Sequence, residues 1–453
     1  MERNYQVDPL RGSILKQMLL FALPIAGAAL LQILFSCADT IVIGRFGHEN
    51  AISAIGVSAA MINLLVGSLT ALEAGVTVVA GNLYGKGETG EVGELLHTLP
   101  LTALSLGIPL TLLVLALSGP ILRLLHCPPD FFADARAYFC IYFLGVPFMV
   151  VFHLLAAVLQ AKGNSFVPFL FQIGASVVNI GLNLLFVIAF DWNVAGVAIS
   201  TAFSQLLSAL ALTLYLNRQR DETRLDLRRL TAFRHTRPVF SIGVPSALEG
   251  GVLNLSGVII SAAINRFPSA VIAGNTVATT MEGLMCISFV GFANASVVFI
   301  SQNYGSGNLK RVRQTYWTTM IAVFCGAELL GAAIYLLSPW LTALFTTDAA
   351  IIECARLRMF YMCLFFGLCG TMNVISGCIR GLNDARTPLL ISLLCSVVFR
   401  ITWIYTYARW AGTITSIYVS FPICWGLCTA LSMIAFARLY RVRSGELEAV
   451  SER

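Results

Sequence analysis

Tyr84-Gly85-Lys86-Gly87 returns in the second half of the chain as Tyr304-Gly305-Ser306-Gly307. Outward from there the spacing recurs. Arg45-Phe46-Gly47 is answered by Arg266-Phe267-Pro268, and Leu23-Pro24 by Val244-Pro245. The arginine and proline pairs share one spacing, and the tyrosine pair falls a single position short of it. Three landmarks at nearly one offset mark an internal duplication. The surrounding chain is strongly apolar: of 453 residues, 57% are hydrophobic and 11% charged, where a soluble domain carries roughly 25% charged residues. So few charges cannot cover a water-facing surface, and much of this one must face lipid. A duplicated membrane-spanning chain points to a transporter whose halves rock about a shared central path.

A spanning helix needs about 20 mostly apolar residues. Twelve stretches qualify: 14–43, 52–80, 95–118, 135–160, 167–190, 194–217, 238–264, 270–300, 314–345, 354–379, 387–408 and 413–438. The expected fold is therefore an all-α integral membrane protein. Twelve spans leave both termini on one side. Of the 29 Lys and Arg, that side receives 21, the opposite side 7 (Arg358 among them), and Arg400 falls inside a span. The bias puts both termini in the cytoplasm of a multi-pass cell-membrane protein. The net charge of +6 then reflects topology rather than nucleic-acid binding. The one long polar stretch, Asn217 to Arg237, holds seven arginines and three acids and reads as a cytoplasmic linker. It divides the chain into residues 1–226 and 227–453, six spans each. An even number of spans makes the repeats parallel.

Several function classes lack their motifs. There is no phosphate-binding Walker loop, no nucleophile elbow and no HExxH. The twelve cysteines form no CxxC and read as small apolar side chains. No resident metal or cofactor is expected. The apolar run from Ile14 exceeds a signal-peptide core and reads as a retained first span. Without an ATP site, uphill transport draws on an ion gradient, where one charge crossing the field supplies about 2.3 kcal/mol per 100 mV.

Polar groups in hydrocarbon are expensive, so ionisable ones are functional candidates. Asp39 shares a helix face with Gln32 and Ser36. Gln172, Ser176, Asn179 and Asn183 form a second stripe, and Thr201, Gln205 and Ser208 a third. Three stripes in one half suggest a hydrated pocket, although hydroxyls also bond across helices for structural reasons alone. In the second half, Asn275, Thr279 and Glu282 share a face, and Glu249 follows the Val244-Pro245 break. Glu73, Glu328, His153 and Arg400 complete the set. His153 reads as a packed, hydrogen-bonded residue, Glu328 has little polar company, and Arg400 is a counter-ion or a snorkelling or interfacial cation.

Together the motifs resemble the multidrug and toxic compound extrusion (MATE) transporters, especially their bacterial NorM and DinF branches. The resemblance rests on Leu23-Pro24, the run Gln32 to Gly47, and Asn82-Leu83-Tyr84-Gly85-Lys86-Gly87. It also rests on Gln160-Ala161-Lys162-Gly163-Asn164 with Pro168, and on the partner run Arg380 to Pro388. It implies two six-helix lobes in a V around a central cavity, and a monomer exporting organic cations and other small amphipathic molecules in exchange for protons or sodium. It places the first-lobe ion site on Asp39, Asn179, Asn183 and Thr201, and matches the acid early in span 7 to Glu249. The chain departs from the family where Asn183 stands in place of an Asp, since an amide supplies no charge. Asp39 is left as the firm acid of the cluster, and a proton is the expected coupling ion before sodium. The alternatives are a flippase for a lipid-linked precursor, which would want a strongly basic cavity, and a polytopic membrane enzyme, which would want a catalytic cluster at one membrane face.

Overall fold

The computed structural model describes residues 6–47, 51–125, 127–231 and 236–451, except the side chains at 60, 63, 64, 70 and 447–451. Arg3, Arg234 and Arg453 of the charge count lie outside it. Among the described residues every regular element is helical. Eleven helices are long and apolar enough to cross a membrane, and a pair bent by 49° makes a twelfth if read as one span. Each of the twelve expected spans has its counterpart.

The helices form two compact units. One contains Gly27–Ala247; the other combines Val7–Ala26 with Leu248–Arg453. The cut at 226/227 drawn from the polar linker is not where compactness divides the chain. The units instead change over within three residues of Pro24 and Pro245, each inside a long helix. A proline there removes one helical hydrogen bond.

The first unit contains most of α1 (Ile14–Phe46), then α2 (Ala51–Thr70), α3 (Leu72–Lys86), α4 (Thr89–Leu124), α5 (Phe132–Ala161), α6 (Phe166–Leu184) and α7 (Asn193–Asn217). α5 is apolar all round and is the most buried span, as a helix at the centre of a bundle should be. Its neighbours come close because glycine meets backbone. A Cβ on Gly107 of α4 would lie 2.6 Å from the Pro147 Cα of α5, and one on Gly145 of α5 would lie 2.7 Å from the Ala202 Cα of α7. Small residues at such crossings replace the hydrophobic drive that lipid removes.

The repeated Tyr-Gly-x-Gly motif ends a helix in each half. Gly87 has φ +77° and its N–H bonds back to the Leu83 and Tyr84 carbonyls; Gly307 has φ +72°. Left-handed backbone of this kind suits glycine. A second turn also recurs. Gly163 (φ +97°) precedes Asn164, whose Oδ1 accepts the Val167 N–H at 3.1 Å; Asn383 (φ +66°) precedes Asp384, whose Oδ1 accepts the Thr387 N–H at 3.1 Å. The linker is anchored at its start. Lys162 Nζ lies 2.5 Å from Asp221 Oδ2 and 3.0 Å from Glu222 Oε1, and the Asp226 N–H donates to His97 Nε2 at 3.0 Å. Partial burial would raise the Asp221 carboxyl, but the bonds from Lys162 and Thr223 outweigh it and hold the group below its ordinary 3.8.

The second unit contains most of α8 (Thr236–Ile264), then α9 (Ser269–Gly305), α10 (Leu309–Ala343), α11 (Ala349–Cys363), α12 (Phe366–Gly381) and the spans Arg386–Ala411 and Ile414–Glu446. α11 and α12 are the bent pair. Glu328 of α10 is the residue that stabilises the bend: its Oε2 accepts the Gly367 N–H, near the start of α12, at 2.8 Å. Such a carboxylate satisfies an otherwise orphan helix-end donor.

Candidate functional site

In the first unit Asp39 of α1, Asn179 and Asn183 of α6, and Thr201 of α7 come together. Asn183 Nδ2 donates to Asp39 Oδ1. With its amide turned to satisfy both ends, Asn179 donates to Asp39 Oδ1 at 3.3 Å and accepts from the Thr201 N–H at 3.3 Å. Asn179 and Asn183 are buried, and Asn183 Oδ1 is buried without a partner. Immediately after Asn183 the helix widens into a π turn, Leu185–Ala189, a distortion common at functional sites. Two one-turn spacings, 179 to 183 on α6 and 32–36–39 on α1, carried the sequence reading, and only the first delivers both of its members. Gln32 and Ser36 are exposed, and the hydrogen bonds of the cluster do not include them.

A second set was only half visible in the sequence. Glu73, on the first turn of α3, faces α5. Its Oε2 lies 3.0 Å from His153 Nδ1, and its Oε1 accepts from Gln160 Nε2 at 2.8 Å. His153 is hydrogen-bonded, as expected for a histidine on an apolar helix, and its partner is an acid. The helical period of α5 places His153 and Gln160 two turns apart on one face, which could have linked them.

The acids of the second unit separate into two places. Glu249 of α8 is buried; Ser392 Oγ donates to its Oε1 at 3.4 Å, and its Oε2 has no partner. Asn275, Thr279 and Glu282 of α9 instead line a cavity of about 460 Å³. Arg358 of α11, counted in sequence as a charge on the side opposite the termini, is 4% exposed and lies in the first helix of the bent pair. Its Nη2 pairs with Glu282 Oε2 at 2.9 Å, and its Nη1 donates to the Asn275 carbonyl oxygen at 2.8 Å and to the Asn275 and Thr279 side chains. Arg400 lines the same cavity, 6% exposed, with Nη1 donating to Ser256 Oγ at 2.8 Å. Its guanidinium lies 4.7 Å from the Phe421 ring centroid. Cys395, Cys424 and the other cysteines are free, and no group of metal-ligating side chains occurs among the described residues.

These sites sit on a fold already known. The chain matches a curated relative, the probable multidrug resistance protein YpnP of Bacillus subtilis, at 24% identity over 89% of this chain and 91% of the relative. It matches the multidrug export protein MepA of Staphylococcus aureus (strain MRSA252) at 22% identity over 86% of each. Among solved structures, a MOP superfamily transporter from Pyrococcus furiosus superposes with a TM-score of 0.87 at 19% identity, over 97% of this chain and 98% of that one. The Vibrio cholerae MATE transporter VcmN superposes with a TM-score of 0.87 at 19% identity, over 95% and 97%. The family profile described as MatE matches twice, at residues 24–185 and 245–406. The two matches are set apart, at both their ends, by the same spacing as the proline and arginine landmarks. The chain belongs to the MatE family of membrane transporters.

Proposed function

We propose that the protein is a cation-coupled antiporter of the cell membrane, both termini cytoplasmic, that exports small amphipathic molecules by alternating access. Two of the relatives are named for multidrug resistance or export, and organic cations are the cargo the family resemblance implies. Asp39 carries the coupled ion. The observation behind this is its setting: a carboxylate in a spanning helix receives N–H bonds from Asn183 and, in the satisfied orientation, from Asn179. These amides turn N–H groups, not oxygens, toward the carboxylate, where a sodium ion would need acceptors, so a proton fits the site better than sodium. Protonating Asp39 removes the charge the amides hold and frees the cluster to rearrange, with the orphan Asn183 Oδ1 available to accept the new O–H.

Export follows if proton and cargo each bind the two access states unequally. Glu249, buried with one free oxygen, is the second acid able to take part. Asp39→Asn in proteoliposomes is expected to lower pH-gradient-driven export at least tenfold while leaving the protein folded. Full retention of that export would remove Asp39 from the coupling role.

A further inference from the structure

We infer that the cavity of the second unit is an anion site, taking an aromatic or otherwise apolar molecule that carries one carboxylate. This rests on the export reading only for what becomes of the ligand, not for its binding. Among the residues lining the cavity, two guanidinium groups face one carboxylate, that of Glu282. Arg358 is satisfied: Glu282, Asn275, Thr279 and Met362 occupy its Nη2, Nη1 and Nε. Arg400 is not. Ser256 takes Nη1, the Phe421 ring lies under the guanidinium, and Arg400 Nε is buried with no hydrogen-bond partner. Two guanidinium groups thus share the one carboxylate of the cavity, which is bonded to Arg358, and Arg400 is more than nine-tenths buried with no carboxylate hydrogen-bonded to it. A buried cation without its own counter-ion is costly, and an incoming anion removes that cost. A planar carboxylate matches the guanidinium fork.

The duplication makes the assignment sharper. Shifted by the spacing of the proline pair, Asn179 of the Asp39 cluster falls on Arg400. The same place in the repeated scaffold thus holds an acid with amides in one unit and an arginine in the other. A π segment, Leu393–Phe399, directly precedes Arg400, whereas the equivalent stretch of the first copy is regular α-helix. Size and lining set the body of the ligand. About 460 Å³ suits a drug-sized molecule and not the chain of a lipid-linked precursor. Phe289, Met372, Phe421 and Trp425 offer apolar and aromatic surface.

The test uses three ligands of one shape, 2-naphthoate, 2-naphthamide and 2-naphthylmethylammonium, titrated into the purified full chain and followed by the fluorescence of Trp425 in a variant whose other tryptophans are Phe. Naphthoate is expected to bind roughly tenfold or more tightly than the amide, and the ammonium most weakly. Arg400→Gln is expected to erase the preference for naphthoate while leaving naphthamide binding unchanged, which also reports that the variant is folded. If the wild-type chain binds the ammonium or the amide as tightly as the carboxylate, the proposal fails without recourse to any variant. An unchanged naphthoate affinity in Arg400→Gln overturns it as well. Tight naphthoate binding without gradient-driven naphthoate export would leave the anion site standing and count against the antiport reading alone.

Discussion

A single amide decides what kind of site Asp39 occupies. Asn183 binds the Asp39 carboxylate and leaves its own Oδ1 unpartnered. A second carboxylate there would add the charge that a sodium ion needs and that one acid cannot supply. Asn183→Asp is accordingly expected to make export sodium-stimulated, by several-fold in vesicles with imposed sodium gradients, and no change would place Asn183 outside the ion path. The members of this cluster were legible in the sequence because a carboxylate and two amides one turn apart are rare in apolar helices. Arg358 was not legible. Arg356 and Arg358 fall at the start of the expected span 354–379 and were counted as charges of the side opposite the termini, and only the fold shows that Arg356 bonds Ser338 while Arg358 reaches Glu282. Gln32 and Ser36 failed for the opposite reason. Helical spacing puts them beside Asp39, but spacing cannot tell which part of a face meets another helix.

At the scale of elements, breaks matter more than lengths. The span centred on α11 and α12 was expected as one helix over 354–379, and it is bent by 49°. No proline or glycine at Leu364-Phe365 announces the break. Its support comes from Glu328 on a different helix, which is why the residue looked friendless in sequence. Glu328→Ala strands the Gly367 N–H, and the expected loss of stability is about 1–2 kcal/mol, visible as a lower thermal midpoint in detergent with the Asp39-dependent coupling retained. A loss of coupling with an unchanged midpoint would instead assign Glu328 to the ion path. The turns, by contrast, were readable: the second glycine of each Tyr-Gly-x-Gly motif takes the left-handed stop, and Asn383 manages the same conformation where the first copy uses Gly163.

For the whole molecule, the span count, the duplication and the parallel sense of the halves could be taken from hydropathy and from one recurring offset. Where each unit ends could not, because a charged linker is conspicuous and a change of packing partner inside a helix is not. Chains 1–226 and 227–453 expressed separately are expected to remain protease-sensitive, since the first lacks 227–247 and the second lacks Val7–Ala26. Their co-expression is expected to restore a resistant pair that purifies together. A fully resistant fragment on its own would contradict the units described above.

Val7–Ala26 belongs with residues that follow it by more than the length of a domain. The Pro9 carbonyl oxygen accepts from Asn303 Nδ2 at 3.0 Å and from Arg311 Nε at 2.9 Å, and Met18 Sδ meets the Thr319 hydroxyl at 3.0 Å. On the ribosome Pro9 emerges 294 residues before Asn303. At roughly 5–20 residues per second, the opening segment must wait some tens of seconds with Phe21 and Met18 unclaimed. The insertion machinery therefore has to shelter the start of the protein until the second copy of the repeat is being made, and a premature stop before α9 leaves that start without the Ala295, Val298 and Phe299 surface it packs against.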